Sequence, residues 1–327
     1  MSTPPQDDSA FRSFVEAFRR ERQNAFPALV DWQYVRHAAS VEDQKQLARW
    51  EGKQSLLEWI RVMGANRPVE SGGLKLQQSL IDESHACYKR LFESLGCQFD
   101  VASLDRTNAL DFSICNLVPN VRSVLDYGAG YGRQAFLFSR LPDARVFAND
   151  AVETSYFSQY WVFRTLGYSL WEYFGHESSL QEFLAGEGSK VIHLPTWRND
   201  LIPDRSLDLV LFVWCLSEMS RHAPLHAIET CMRTLRPGGY IYLRDDPHSH
   251  GWEMEKQIIR RGFLPVFQPW VLAGDEKMNG VPRLYRYIPD YLDKRNSAYC
   301  RLLLTAWRTK VLSLRQLLVA FRRLLPF

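Results

Sequence analysis

From Val121 onward the chain alternates short apolar runs with segments of helical period, and that alternation sets the expected architecture. "VRSVLDY", "ARVFAND", "KVIHLPTW", "LDLVLFVWCL" and "GGYIYLRDD" read as five successive strands. Between them, "GRQAFLFSRL", "TSYFSQYWVFRTLG" and "HAPLHAIETCMRTL" space their apolar residues three and four apart, the period of a helix packed on one side. "EMEKQIIRRGF", "LPVFQPWV" and "RLYRYI" predict a last helix and two closing strands. The run at 209–216 is apolar at consecutive positions, which suits a strand covered on both faces. Strand and helix in turn predict an α/β fold with a doubly wound sheet, whose ligands bind beyond the carboxyl ends of its strands.

Residues 8–115 read instead as helices. "FRSFVEAFRRERQNAF" sets Phe11, Val15, Phe18 and Ala25 among arginines and glutamates. "VEDQKQLARWEGKQSLLEWIRVMG" does the same with Leu47, Trp50, Leu57, Ile60 and Val62. "RPVESGGLK" breaks the pattern with its proline and paired glycines. A further helix, "LQQSLIDESHACYKRLFESLG", ends at Gly96.

Composition adds exclusions. Of 327 residues 46% are hydrophobic and 24% charged, an ordinary globular balance. The amino terminus "MSTPPQDDSA" is polar and does not read as a signal peptide, and "LVLFVWCL" is too short to span a bilayer. Six cysteines without a C-x-x-C pair point to reduced thiols and a cytoplasmic protein. The net charge of +3 conceals an asymmetry: residues 294–327 hold eight Lys or Arg and no acid, leaving 32 basic and 37 acidic residues elsewhere. The body is mildly acidic, so no nucleic-acid partner is expected for it.

The chemistry concentrates at "VLDYGAGYG". Its glycines, Gly128, Gly130 and Gly132, follow the first strand, as phosphate-cradling loops do. A dinucleotide fingerprint needs glycine at position 133, which is Arg133, and a P-loop needs G-K-[ST], which is missing. Asp126, just before the loop, would repel phosphate and suits a ligand with positive charge.

With these residues in view, the segment resembles motif I of the class I S-adenosylmethionine-dependent methyltransferases. "HLPTW", "RSLDLVLFVWCLSEM" and "MRTLRPGGYIYL" resemble later segments of that family in the same order, over roughly residues 119–290. The resemblance implies a Rossmann-like sheet of seven strands and S-adenosylmethionine as cofactor. It implies that Asp126, Gly128, Gly130 and Gly132 form the cofactor loop. Asp150, 18 residues after Gly132, would take the ribose hydroxyls, and Thr196 and Trp197 would border adenine.

An alcohol acceptor must lose its proton, to a general base or to a metal that stabilises the alkoxide. After the fourth strand come Glu218 and His222, which share a face if helix begins there. After the fifth come Asp245, Asp246, His248 and His250. The acids Asp245 and Asp246 with Glu218 resemble the magnesium site of metal-dependent sugar O-methyltransferases, with Glu218 where an aspartate is usual. Metal (Mg²⁺) and base (His222, Glu218 or His248) both stand as expectations. "SEM" resembles a signature of the sugar O-methyltransferase group, implying a small, sugar-like acceptor.

The boundaries predicted are a helical lid or substrate region over 1–118, a cofactor-binding domain over 119–293, and a basic helix over 294–327. In the last, Leu304, Val311, Leu318 and Leu325 repeat every seven residues, beside Trp307, Leu314 and Phe321 and flanked by Arg301, Arg308, Arg315 and Arg322. Such a helix would pair with a second copy, dock on its own domain, or lie peripherally on an anionic membrane. A scaffold protein acting through this helix is the alternative to an enzyme, and the intact glycine loop favours the enzyme.

Overall fold

The computed structural model describes residues 9–27, 49–50, 78–94, 111–112, 118–176, 178–220, 222–245, 252–267 and 281–290. The expected helix over 41–64 (apart from Arg49 and Trp50), the residues Asp246, His248 and His250, and the basic tail lie outside the described residues. The elements are α1 (Ser9–Asn24), α2 (Gln78–Ser94), β1 (Ser123–Tyr127), α3 (Arg133–Ser139), β2 (Arg145–Asp150), α4 (Glu153–Thr165), β3 (Leu170–Glu172), α5 (Leu180–Ala185), β4 (Lys190–Pro195), β5 (Leu207–Val213), α6 (Ala223–Thr234), β6 (Leu235–Asp245), α7 (Trp252–Arg260), β7 (Phe263–Phe267) and β8 (Val281–Tyr287).

The strands form one sheet in the order β3-β4-β2-β1-β5-β6-β8-β7. β3 to β6 pair in parallel, and β8 runs antiparallel to both of its neighbours. The chain moves outward from β1 to β2 and later returns to lay β5 on β1's other side. The carboxyl ends of β1 and β5 therefore flank the switch point at which doubly wound sheets bind ligands.

Both faces of the sheet are covered, which explains the unbroken apolar runs. Val124, Val146, Leu209 and Leu211 pack in one cluster with aromatic residues of α1, α2, α3 and α4. Leu125, Phe147, Val210 and Phe212 belong to another, with residues of α5, α6 and α7. Successive residues of a strand point to opposite faces, so a strand buried on both has no polar alternation to show.

The sheet has eight strands where seven were expected. The added one, β3, is three residues at the edge beside β4. Its Glu172 explains its position: the carboxylate accepts from Tyr156 Oη of α4 at 2.6 Å and bonds Nδ1 of the fully buried His193 of β4. β5 is shorter than its apolar run and ends at Val213. Trp214 then takes φ +54°, which turns the chain out of the strand.

α1 is more than a covering helix. Its apolar side meets α4, with Phe14 4.6 Å from Tyr160 and Phe18 4.7 Å from Tyr156, centroid to centroid. Its polar side binds residues that directly follow three strands. Glu21 accepts from Tyr173 Oη after β3 and from Trp197 Nε1 after β4, each at 3.2 Å. Arg22 Nε donates to Ala151 O after β2 at 3.1 Å, and Arg19 pairs with Glu153. Trp50 N adds a 3.0 Å bond to the same Glu153 carboxylate. α1 thus lies along the carboxyl edge of the sheet.

Candidate active site

The glycine loop is built by backbone that only glycine takes without strain. Gly128, Gly130 and Gly132 have φ of 68°, 62° and 80°. A β-carbon at Gly132 would stand 2.5 Å from Phe163 Cε1, so α4 approaches too closely for any side chain. β2 fastens the loop: Gly128 N donates to Asn149 Oδ1 at 3.0 Å, Ala129 N to Asn149 O at 3.0 Å, and Gly130 N to Asp150 Oδ2 at 3.1 Å. Asn149 is held in turn by Asn199 Oδ1 at 2.7 Å.

Two carboxylates crowd the loop. Asp126, 3% exposed, has an Oδ2 with no hydrogen-bond partner among the described residues. Burial pushes its pKa up to about 7, Arg133 pulls the other way, and Asp150 and Asp111 add to the rise. Asp150 is also pushed by burial to about 7, opposed by the amides of Val152 and Gly130 that it accepts. Its Oδ1 takes Val152 N at 2.9 Å, and Gln159 Nε2 joins Oδ2 at 3.3 Å.

Arg133, used in the sequence only to exclude a dinucleotide, is the first residue of α3. Its guanidinium lies 5.1 Å from the Tyr131 ring centroid, and Nη1 is buried with no hydrogen-bond partner among the described residues. A cation at the first turn of a helix opposes the helix dipole, which was the available signal that something else holds it there. Thr196 is buried after β4, whereas Trp197 gives its indole N–H to α1.

At the other side of the switch point, β5 gives way to Cys215 and a short 3₁₀ turn, Leu216–Glu218. Burial raises the Cys215 thiol well above its usual range, with Asp245, Asp150, Glu218 and Asp126 adding to the rise. α6 begins only at Ala223, after an extended Met219, so Glu218 and His222 share no helix face. His222 is exposed and lines a hollow of about 470 Å³ with Phe26, Pro27, Ser220, Leu225, His226 and Glu229. Phe26, two residues past α1, meets the His226 ring edge-on at 5.1 Å.

Of the three acids expected to hold a metal, Asp245 and Glu218 are described and Asp246 is not. Asp245 Oδ2 accepts Ser217 N at 2.8 Å, and no group of three His, Cys, Asp or Glu able to hold a metal occurs among the described residues. No helix among them is long and apolar enough to cross a membrane.

Beside Asp245, Arg244 forms a buried network that sequence reasoning missed. Its Nε and Nη2 bond Asp111 Oδ1 and Oδ2 at 2.6 and 2.8 Å, and Tyr242 Oη also donates to Asp111. Both charged side chains are 1% exposed. The partners stand 133 positions apart, and no local pattern announces such a pair.

No protein-family model matches this chain, and no curated protein does. Solved structures of SAM-dependent methyltransferases resemble it. One is 1,6-didemethyltoxoflavin-N1-methyltransferase of Burkholderia thailandensis, bound to S-adenosylhomocysteine: 17% identity, 64% of this chain and 86% of that one covered, TM-score 0.36. A TehB-like SAM-dependent methyltransferase of Corynebacterium glutamicum has 14% identity, coverage of 62% and 96%, and TM-score 0.38. An rRNA methylase of Streptococcus thermophilus has 16% identity, coverage of 56% and 97%, and TM-score 0.39.

Proposed function

We propose that the protein is an S-adenosylmethionine-dependent methyltransferase acting on an oxygen of a small polyhydroxylated, sugar-like molecule. The observation that carries the reading is the unpartnered carboxylate oxygen of buried Asp126, beside a loop whose three glycines are all left-handed. A buried polar atom without a partner is costly unless a ligand completes it.

The residues present fit this cofactor. When bound, it supplies an electrophilic methyl group on a sulfonium and needs no redox partner. Asp126, once ionised, attracts positive charge, and Arg133 Nη1 offers a donor to a carboxylate nearby. Together they suit an amino-acid moiety, which carries both charges. The loop amides of Gly128 and Gly130 are already given to Asn149 and Asp150, so the loop holds its shape before any ligand arrives. Asp150 supports the loop and is the proposed acceptor for the ribose hydroxyls. His222 or Glu218 takes the proton from the acceptor hydroxyl, and positioning supplies much of the remaining acceleration.

Calorimetric titration with S-adenosylhomocysteine tests the cofactor: one site per chain is expected, lost in Asp126→Ala. NAD⁺ and ATP should not compete. An absence of saturable binding by folded protein refutes the reading. Profiling a deletion strain for a product lighter by one methyl then identifies the acceptor.

A further inference from the structure

We propose that the indole N–H of Trp214 and the hydroxyl of Ser217 bind neutral oxygens of the acceptor and so select a hydroxyl-bearing molecule. The inference rests on the methyltransferase reading above and names the chemistry of its second substrate. Three observations carry it.

The first is strain. Trp214 has φ +54°, a strained region that bulky side chains seldom occupy. Its backbone is pinned there by Trp214 N donating to Arg244 O at 2.8 Å. The conformation turns the chain at the carboxyl end of β5, beside the switch point.

The second is a pair of unmet hydrogen bonds. Trp214 Nε1 and Ser217 Oγ are both buried and have no partner among the described residues. The two residues flank Cys215 and Leu216, and Ser217 is fixed by its own amide on Asp245. Buried polar groups are nearly always paired, so two unpaired ones across a single turn mark a place where a ligand bonds.

The third is charge. Asp245 holds the Ser217 amide and Glu218 is the next residue of the turn, so a carboxylate or phosphate on the acceptor would meet repulsion. An indole N–H only donates, so it gives nothing to an ammonium group. What remains is a neutral group with a lone pair, a hydroxyl or carbonyl oxygen. Serine donates and accepts, which suits a neighbouring hydroxyl. A polyol or carbohydrate satisfies both residues. Its deoxy analogue leaves them unpaired, and such sites reject the lacking analogue strongly.

The test uses the full chain with ¹⁵N-labelled tryptophan and saturating S-adenosylhomocysteine. The Trp214 indole signal is identified by its loss in Trp214→Phe. The probes are methyl α-D-glucopyranoside, methyl β-D-galactopyranoside and myo-inositol, with methylammonium chloride and sodium acetate as charged controls. At least one polyol should move the signal while neither control does. Ser217→Ala should raise the half-saturating concentration about three- to tenfold, the loss of one hydrogen bond. The proposal is overturned if no polyol moves the signal, or if acetate or methylammonium moves it equally. Calorimetry reports S-adenosylhomocysteine binding separately. No binding of S-adenosylhomocysteine overturns the methyltransferase reading and this proposal with it; binding with an unmoved indole signal overturns this proposal alone.

Discussion

Asp126 and Asp150, one on each of two adjacent parallel strands, are both buried, and the charge on Asp150 raises the proton affinity of Asp126. Each carboxyl is pushed to about 7 in the folded chain from an ordinary aspartate value of 3.8. The native state therefore holds protons that the unfolded state has released between about pH 4 and 7. Stability contributed by these groups is present below that window and is lost as pH rises through it. Without ligand, thermal stability should fall between pH 5 and 8. Affinity for the cationic cofactor should rise over the same interval, by up to about tenfold per pH unit for one proton lost. Asp126→Asn should flatten both slopes, as read by calorimetry and thermal melts at pH 6, 7 and 8. An affinity independent of pH would show that neither carboxylate meets the ligand's charge.

Gly132 tests the loop's geometry independently of charge. Gly132→Ala adds a carbon 2.5 Å from Phe163 Cε1 at φ +80°. Strain and overpacking together should cost about 2–4 kcal/mol of stability and abolish S-adenosylhomocysteine binding. Shortening the neighbour, as Gly132→Ala with Phe163→Leu, should recover the overpacking part and leave the backbone part. A single variant with wild-type melting temperature would contradict the close approach of α4.

The buried pair of Asp111 and Arg244 predicts a different signature. Asp111→Asn leaves the guanidinium without its countercharge, an effect of about 3–5 kcal/mol for a broken buried pair. Replacing both partners, as Asp111→Leu with Arg244→Met, should restore much of that loss, because neither charge is then stranded. Denaturant melts of the single and double variants give the comparison. Should the double variant be the less stable, the pair contributes net attraction beyond mutual neutralisation.

These two sites show what the sequence could and could not disclose. The glycine loop, the strand order's alternation and the ends of β1 and β2 follow from local pattern, since three left-handed turns in five residues need glycine. The full burial of β5 was legible for the same reason, but its end was not. Trp214 and Cys215 look like further strand, and the chain leaves the sheet there through a backbone turn that tryptophan does not advertise. β3 was missed because three residues carry no period; Tyr156 and His193 hold it in place. α1 was legible as a helix from Phe11, Val15 and Phe18. Its place along the carboxyl edge depends on Glu21 and Arg22 finding partners more than a hundred residues away. Arg133 was visible beside the loop, and only its unpaired Nη1 gives it a role.

The general base is the remaining question that mutation can answer. His222 stands at the N-cap of α6 and gives no side-chain cap to that helix, so its removal should leave the fold nearly unchanged. It faces a hollow with Phe26 and His226 at the carboxyl side of the sheet. As the base, it should cost about 10²–10⁴-fold in kcat when changed to alanine, with S-adenosylhomocysteine affinity unaffected. Glu218→Gln is the counterpart, and Glu218 closes the short turn that follows Cys215. Single-turnover rates on both variants separate the candidates. If Glu218→Gln loses the rate and His222→Ala keeps it, the glutamate takes the proton and the histidine only lines the hollow.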